Sequence, residues 1–382
     1  MERIVEDQEK IQLYHTELIL HDVLYKIFEY LNRHDLNEVS RVCKSWYWAA
    51  KVEKAKRGPQ IMILQAVGEF GTSGSTKIHP VGIDDFGNSL RIKPTIGIFF
   101  TDGKYAAPAD CDSVPYEICT AHQWAQPEDC FYVAVEASAV YVDKDKIGGE
   151  KNVTAAVFFP ALSNVNYVSA QTSSHCIVQY FDRRNSLLSE ITEKLFVTES
   201  NHVCFIMFIY QWKDEPTFDN YHENFCNEIL DTLKTRYTAG TYSLWGGAIN
   251  DIYTRSADDR PWSFHSTSFC ALSLSNSSVK SWSIAIDNNL PYLEIQLILA
   301  DFKKQVCLKS SSIAFLIIST DENNYEESNI KIFKNVFPTI NIITMFNNKN
   351  HAVFSVNSTV TETEPKLRHM NSYAFMILTY KL

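Results

Sequence analysis

The sequence predicts an α+β protein in which an all-α N-terminal region is followed by a larger α/β body. Apolar residues recur at helical spacing up to residue 58, and after Pro59 the pattern changes to short β-branched and aromatic runs typical of strands. The chain has 382 residues, of which 45% are hydrophobic and 13% aromatic, so two or three domains with substantial cores are expected. We place their boundaries at 1–58, 59–200 and 201–382.

Two amphipathic helices are predicted in the N-terminal region. The first can be capped by Asp22 and carries one apolar face made of Val23, Leu24, Ile27, Phe28 and Leu31. The second is predicted from Asp35, with an apolar stripe of Leu36, Val39, Val42, Cys43, Trp46, Tyr47 and Ala50. Gly58-Pro59 ends the region. Two short helices cannot bury all of this apolar area, and surplus exposed apolar surface usually marks a partner site.

These helices resemble an F-box. The resemblance rests on Ile19 to Leu31, then Asp35-Leu36, Val42-Cys43 and Trp46. The family pattern starts with Leu-Pro and ends with Val-Cys and Trp. In this chain Leu20 replaces the usual proline, which is a departure at the entry loop. A generic helical hairpin is the alternative interpretation.

The F-box resemblance implies a partner and a function. F-boxes bind a Skp1-type adaptor and through it cullin-1, so the chain would be the substrate-recognition subunit of an SCF-type ubiquitin ligase. It would promote ubiquitination and proteasomal degradation of a target protein that the sequence does not name. Carried over residue by residue, the adaptor-binding candidates are Leu24, Ile27, Phe28, Leu31, Leu36, Val42 and Trp46. Of these, Val42 and Trp46 are the two for which a core position is most strongly expected.

The body carries an apparent internal duplication. Early strands are predicted at 60–65, 95–100, 131–142, 153–161 and 165–170. Later, a strand at 203–210, a helix at 219–237, a strand at 242–245 and a strand at 269–275 recur as 313–320, 326–336, 340–346 and 373–380, with a further strand at 280–286. The same order of elements predicts a duplicated strand–helix–strand–turn–strand unit. The alternative is that α/β proteins share this order by default.

This body resembles the FIST-type region (F-box and intracellular signal transduction) of the F-box only protein 22 family. The resemblance spans most of the chain after the helices and rests on element order and on two short motifs, Ala156 to Pro160 and Gly246-Gly247 followed by Asp251. In relatives, a glycine-rich turn occupies the place of Phe346 to Asn350. Because that turn is changed, the resemblance implies a scaffold for a target protein in preference to a sensor of small molecules.

A weak ligand site is predicted at Gly246, Gly247 and Asp251. A glycine pair directly after a strand is a frequent ligand position in α/β proteins, because glycine allows close approach. A tight turn needs glycine equally, so both interpretations stay open. The alternative function is therefore a small-molecule-sensing module with the F-box as an accessory.

Other function classes lose support from composition and motifs. The net charge is −10, which disfavours nonspecific binding to nucleic acid or to an anionic membrane. The basic stretch Lys51–Arg57 contains Glu53, and a solvated helix end is favoured over RNA binding. No P-loop, nucleophile elbow, zinc-protease motif or CxxC pair is present, so we predict no enzyme, catalytic residue, metal or cofactor.

The cellular location is expected to be the cytoplasm, the nucleus or both. The N-terminal residues lack the apolar segment of a signal peptide, and the apolar run Val203–Tyr210 is far shorter than a membrane span. Nine scattered cysteines are expected to be buried and reduced.

Overall fold

The structure is a computed structural model that describes residues 22–65, 80–82, 89–101, 130–147, 153–160, 165–171, 188–196, 202–210, 216–238, 240–255, 265–275, 279–319, 328–347, 351–357 and 366–380. Within this part the chain is a mixed α/β protein, with helices at the N-terminus and a sheet-rich body after them. Its helices are α1 (22–28), α2 (Arg33–Val39), α3 (Lys44–Lys56), α4 (188–194), α5 (Pro216–Arg236), α6 (Tyr292–Gln305) and α7 (Ser328–Val336).

The N-terminal unit has three helices where two were predicted. The predicted second helix is interrupted after Val39, and α3 begins only at Lys44. Ser40 ends α2, and its hydroxyl donates to the Asn37 carbonyl at 2.6 Å. Serine side chains that bond nearby carbonyls in this way compete with helix continuation. Asn32 caps α2, since its side-chain oxygen accepts from the Asp35 amide at 2.8 Å.

Most predicted runs form strands, but the run 131–142 divides into two, and five short strands were not predicted. They are β1 (Gln60–Gln65), β2 (Pro80–Gly82), β3 (Pro94–Thr101), β4 (Phe131–Glu136), β5 (Ala139–Val142), β6 (Asp145–Ile147), β7 (Val153–Pro160), β8 (Val165–Gln171), β9 (Val203–Tyr210), β10 (Tyr242–Ile249), β11 (Asp251–Arg255), β12 (His265–Leu274), β13 (Val279–Asp287), β14 (Ile313–Ser319), β15 (Asn341–Asn347), β16 (Val353–Ser355), β17 (Arg368–His369) and β18 (Ser372–Tyr380). They form a 12-stranded and a 6-stranded sheet. The first runs β17-β16-β10-β9-β12-β11-β4-β3-β7-β1-β2, with β8 also on β12, and the second runs β13-β18-β14-β15-β5-β6.

The same four-stranded arrangement occurs three times. Unit 1 has the spatial order β1-β7-β3-β4, unit 2 has β8-β12-β9-β10, and unit 3 has β13-β18-β14-β15. In every unit the first two pairings are antiparallel and the last is parallel. The predicted repeat corresponds to units 2 and 3, where α5 and α7 make the parallel crossovers. Unit 1 is an additional copy, and the segment between its two parallel strands lies largely outside the described residues.

The three units are linked in a cyclic order. In each unit the outer parallel strand (β4, β10 or β15) is followed in the chain by a strand that pairs with another unit. Thus β5 pairs with β15, β11 pairs with β4, and β16 pairs with β10, in each case antiparallel. Each unit therefore completes the sheet of another, so the body is built from interdependent parts.

One apolar core is shared by all three units. Phe100, Trp245 and Phe315 come from units 1, 2 and 3 and are fully buried together. The Phe315 ring centroid lies 5.1 Å from Trp245 and 6.3 Å from Phe100. The Trp245 indole also donates to the Ala374 carbonyl at 3.0 Å, so its one polar atom is satisfied. Separate clusters join α4 and α5 to unit 2, and α6 and α7 to unit 3.

Candidate functional site

The N-terminal helices enclose a very small core. Its buried members are Leu24, Phe28, Leu36, Ala49 and Ala50. Phe28 is fully buried and meets the half-buried Trp46 edge to face, with ring centroids 5.6 Å apart. So few buried residues can enclose only part of the apolar surface of three helices.

Tyr25, Leu31, Val39 and Trp46 pack partly against this core, while other large apolar side chains of the unit face outward. Six large ones are between 47% and 85% exposed: Val23, Ile27, Tyr30, Val42, Tyr47 and Trp48. Val23 and Ile27 lie one helical turn apart on α1, and the Tyr47 and Trp48 rings contact each other at 5.6 Å. We call these six residues the apolar face. Exposed apolar side chains at this density are typical of protein-binding surfaces.

Charged residues accompany the apolar face. Lys26 pairs with Glu29 at 3.3 Å and Arg41 with Glu38 at 3.2 Å, both on the surface. The Lys51 ammonium lies 4.8 Å from the centre of the Trp48 ring. Apolar residues accompanied by exposed ion pairs resemble the hydrophobic core and polar rim of a protein interface.

The seven predicted contact residues divide between core and surface. Ile27 and Val42 are exposed, Leu31 and Trp46 are half-buried, and Leu24, Phe28 and Leu36 are buried. The burial of these last three makes them supports of the surface in this structure. The expectation of a core position for Val42 was wrong. It lies in the turn before α3 and is 63% exposed, because the helix predicted to carry it inward is broken there.

Four exposed members of the apolar face were not among the predicted contact residues: Val23, Tyr30, Tyr47 and Trp48. Tyr47 had been assigned to an inward stripe of a continuous helix. With the helix starting at Lys44, the buried positions become Ala49, Ala50 and Glu53 instead. The signal that could have found Trp48 is its size, since two small alanines follow it and fit the interior better.

Comparison with known families now identifies the helical unit. Residues 21–53 match the F-box-like family model. The match covers α1, α2 and most of α3, and therefore both the small core and the apolar face of the F-box. Ile19, Leu20 and His21, with which the F-box resemblance begins, lie outside the described part of the structure. No curated protein gives a match to the chain.

The glycine pair of the predicted ligand site lies inside a strand. Gly246 and Gly247 belong to β10, which continues to Ile249, so the predicted turn after Trp245 was wrong. Gly246 has φ +145°, and a Cβ there would overlap the carbonyl oxygen of Met207 on β9. A Cβ on Gly247 would lie 2.8 Å from the Ala352 carbonyl oxygen. The glycines thus allow close packing of backbones on both sides.

The structure also shows the surroundings of Asp251 and of Asn347. Asp251 is half-buried at the start of β11, opposite Glu136 on β4. Asn347 donates from its side chain to the Ala248 carbonyl at 2.6 Å, so it joins units 2 and 3, while 348–350 lie outside the described residues. A cleft of about 230 Å³ opens elsewhere, at the junction of α3 with the body, and none of Gly246, Gly247 and Asp251 lines it. Ligand binding at the glycines stays a prediction.

Nucleophilic side chains in the body are deeply buried. His202 lies 3.0 Å from the Ser281 hydroxyl, which also contacts Ser243, but Ser281 is only 1% exposed. Burial raises the pKa of Cys130 to about 12 and that of Cys204 to about 11, so both thiols stay protonated at neutral pH. A substrate has no access to these groups, which instead stabilise strand packing.

The surroundings of the cysteines differ in part from expectation. Among the described cysteines, Cys130, Cys204, Cys226 and Cys270 are buried, whereas Cys43 and Cys307 are exposed, and all six are free thiols. A search of the described residues finds no group of three or more His, Cys, Asp and Glu side chains arranged for a metal ion. In the same residues, no helix combines the length and apolarity needed to cross a membrane.

Proposed function

We propose that this protein is the substrate-recognition subunit of an SCF-type ubiquitin ligase. The F-box would bind a Skp1-type adaptor through the apolar face and reach cullin-1 through that adaptor. The single observation that carries the proposal is the exposure of six large apolar side chains within and around α1 and α3. Burying them against a partner would recover the hydrophobic free energy that three short helices cannot gain alone.

The body would hold the target protein. The proposal includes the assignment of the body to the FIST type, which is supported by the strand order that unit 2 and unit 3 share. A body with a continuous, fully packed core presents its surface for recognition. The target would be ubiquitinated in the cytoplasm, the nucleus or both, and then degraded by the proteasome.

The receptor itself would be non-catalytic. Its contribution is proximity, because it holds the target beside the enzyme that carries ubiquitin as a thioester. The lysines of the target then meet a high effective concentration of that thioester. The buried thiols and hydroxyls described above are consistent with this division of labour, since the attacking nucleophile would be a lysine of the target.

An affinity-purification experiment tests the proposal. The tagged chain is expressed in cells of its source organism, and the proteins that co-purify with it are identified by mass spectrometry. We expect a Skp1-type adaptor, cullin-1 and candidate targets together, and we expect the targets to accumulate when the chain is depleted. The matched variant Ile27→Asp plus Val42→Asp should lose the adaptor and cullin-1 but keep the targets.

The same experiment separates a ligase subunit from an F-box protein with another role. Recovery of the adaptor without cullin-1, and with unchanged target levels on depletion, would show that no ligase is assembled. Equal recovery of the adaptor by the parent and the double variant would show that the apolar face is not its binding surface.

A further inference from the structure

The connection between the F-box and the body is short and tightly packed. Helix α3 ends at Lys56 and strand β1 begins at Gln60, so only three residues separate them. Of these, Pro59 restricts the backbone, and Gly58 lies so close to Ser311 of unit 3 that a Cβ would overlap the serine side chain. A second backbone contact joins the modules, since the Arg33 amide donates to the Leu90 carbonyl at 2.8 Å.

Arg57, the first of these three residues, is buried at the centre of the junction. The predicted solvated helix end is confirmed for Lys51, Lys54 and Lys56, which are exposed, but it was wrong for Arg57, which is 8% exposed. Its Nη2 donates to the Phe28 and Leu31 carbonyls, each at 2.8 Å, at the end of α1. Its Nη1 donates to the Arg91 carbonyl of the body at 2.5 Å. One guanidinium therefore holds three segments that are distant in sequence.

The charge of Arg57 is balanced within the F-box. Its Nε donates to the buried Glu53 carboxylate at 2.8 Å, one helical turn earlier. The body returns a contact, because the Arg91 side chain donates to the Glu29 carbonyl and lies 3.7 Å from the same carboxylate. A buried cation is tolerated only when its donors are satisfied, and a guanidinium has the fixed, planar set of donors that this junction uses. Exchange for another side chain would leave buried groups unpaired.

We propose that Arg57 is a positioning residue that locks the F-box onto the body, so that the two form one rigid piece. The consequence for ubiquitin transfer rests on the proposed function. A target bound to the body would then stand at a fixed place relative to the adaptor. With a flexible connection it would instead be spread over the volume that the linker allows, and the effective concentration of its lysines would fall.

Distance measurements between spin labels test the lock. Cys43 in the F-box and Cys307 in the body are both exposed and take nitroxide labels, while Cys111, Cys119 and Cys176 are replaced by serine because they lie outside the described residues. Double electron–electron resonance then gives the distribution of distances between the two labels. We expect one narrow peak for the parent chain.

Three variants establish which residue is responsible. Arg57→Gln should broaden the distribution severalfold. A Gly-Ser-Gly-Ser insertion after Gly58 should broaden the distribution as well. Because the insertion leaves the contacts within the F-box intact, it still tests the connection if Arg57→Gln fails to fold. Arg41→Gln removes an exposed ion pair inside the F-box and is the matched control that should leave the peak narrow.

The outcomes distinguish the lock from the proposed function. A broad distribution in the parent, or a narrow one in a folded Arg57→Gln protein, would overturn the lock. Binding of purified Skp1 is measured on the same proteins, and the insertion variant, which leaves the contacts within the F-box intact, should keep it. A narrow parent that fails to bind Skp1 would support the lock and remove the proposed function, whereas a broad parent that binds Skp1 would do the reverse.

Discussion

The F-box and the body dispose of their apolar residues in opposite ways. In the described part of the chain, six of the large exposed apolar side chains lie between residues 22 and 56, and four lie in the whole body: Tyr292, Leu293, Leu297 and Met370. The F-box core has only five buried members, whereas the core shared by the three units has dozens. Among the described residues, the smaller module thus exposes more large apolar side chains than the larger one.

This difference follows from size and from layering. Three short helices have a high ratio of surface to volume and one shallow interior. The body packs both faces of its sheets, one on the shared core and the other on helices in units 2 and 3. The comparison teaches that the F-box leaves large apolar side chains exposed, as a partner-binding module would, while the body covers its apolar residues by exchanging strands among its units.

The largest expected effect comes from the centre of the body. Trp245→Ala removes a buried ring and its hydrogen bond to Ala374, and should lower the free energy of unfolding by about 4 kcal/mol. Trp48→Ala in the F-box, where the ring is exposed, should change it by no more than about 0.5 kcal/mol. Urea denaturation followed by circular dichroism measures both. Similar losses for the two tryptophans would break the comparison.

The next effect separates core from contact within the F-box. Phe28→Ala should destabilise the F-box by about 3 kcal/mol because the ring is fully buried against Trp46. Its neighbour Ile27→Ala should have little effect on stability, since Ile27 is exposed. Amide hydrogen exchange in α1 reports the local free energy of opening. If Phe28 were a contact residue, as the sequence suggested, the two variants would show equal protection.

A smaller effect is expected at the glycine pair. Gly246→Ala should cost about 2 kcal/mol, because the added methyl group overlaps the β9 backbone at a positive φ. Gly240→Ala, at an exposed position with φ +86°, is the matched control and should cost about 1 kcal/mol. Thermal denaturation ranks them. A stable Gly246→Ala protein would show that the glycine is not needed for packing and would revive its predicted role toward a ligand.

Much of the body could be predicted from sequence because its strands are continuous apolar runs. The bounds of β1 and β9 agree with the predicted runs residue for residue. Helix α6 was overlooked, although Ile295, Leu299 and Phe302 follow helical spacing, because strands were sought on both sides of it. The predicted turn at Gly246 failed for another reason, since a glycine within a strand and a glycine in a turn look the same in sequence.

The features that sequence reasoning missed depend on distant contacts. Nothing local in Arg57 distinguishes it from the solvated lysines around it, and its burial becomes visible only when the Phe28 and Arg91 carbonyls are placed beside it. Unit 1 was not predicted because the link from β3 to β4 has no recognisable helix pattern. Val42 was expected in the core because the helix was predicted to continue past Val39. The break after Val39 changes the orientation of the residues that follow it.

Titration of purified Skp1 into the purified chain by isothermal calorimetry tests the central claim most directly. The parent should bind, and Ile27→Asp plus Val42→Asp should weaken binding by at least about a hundredfold, since each charge would be buried in an apolar interface. The matched variant Leu293→Asp plus Leu297→Asp alters exposed leucines of α6 and should bind as the parent does. Equal affinity for all three proteins, or loss of binding only in the α6 variant, would contradict the account.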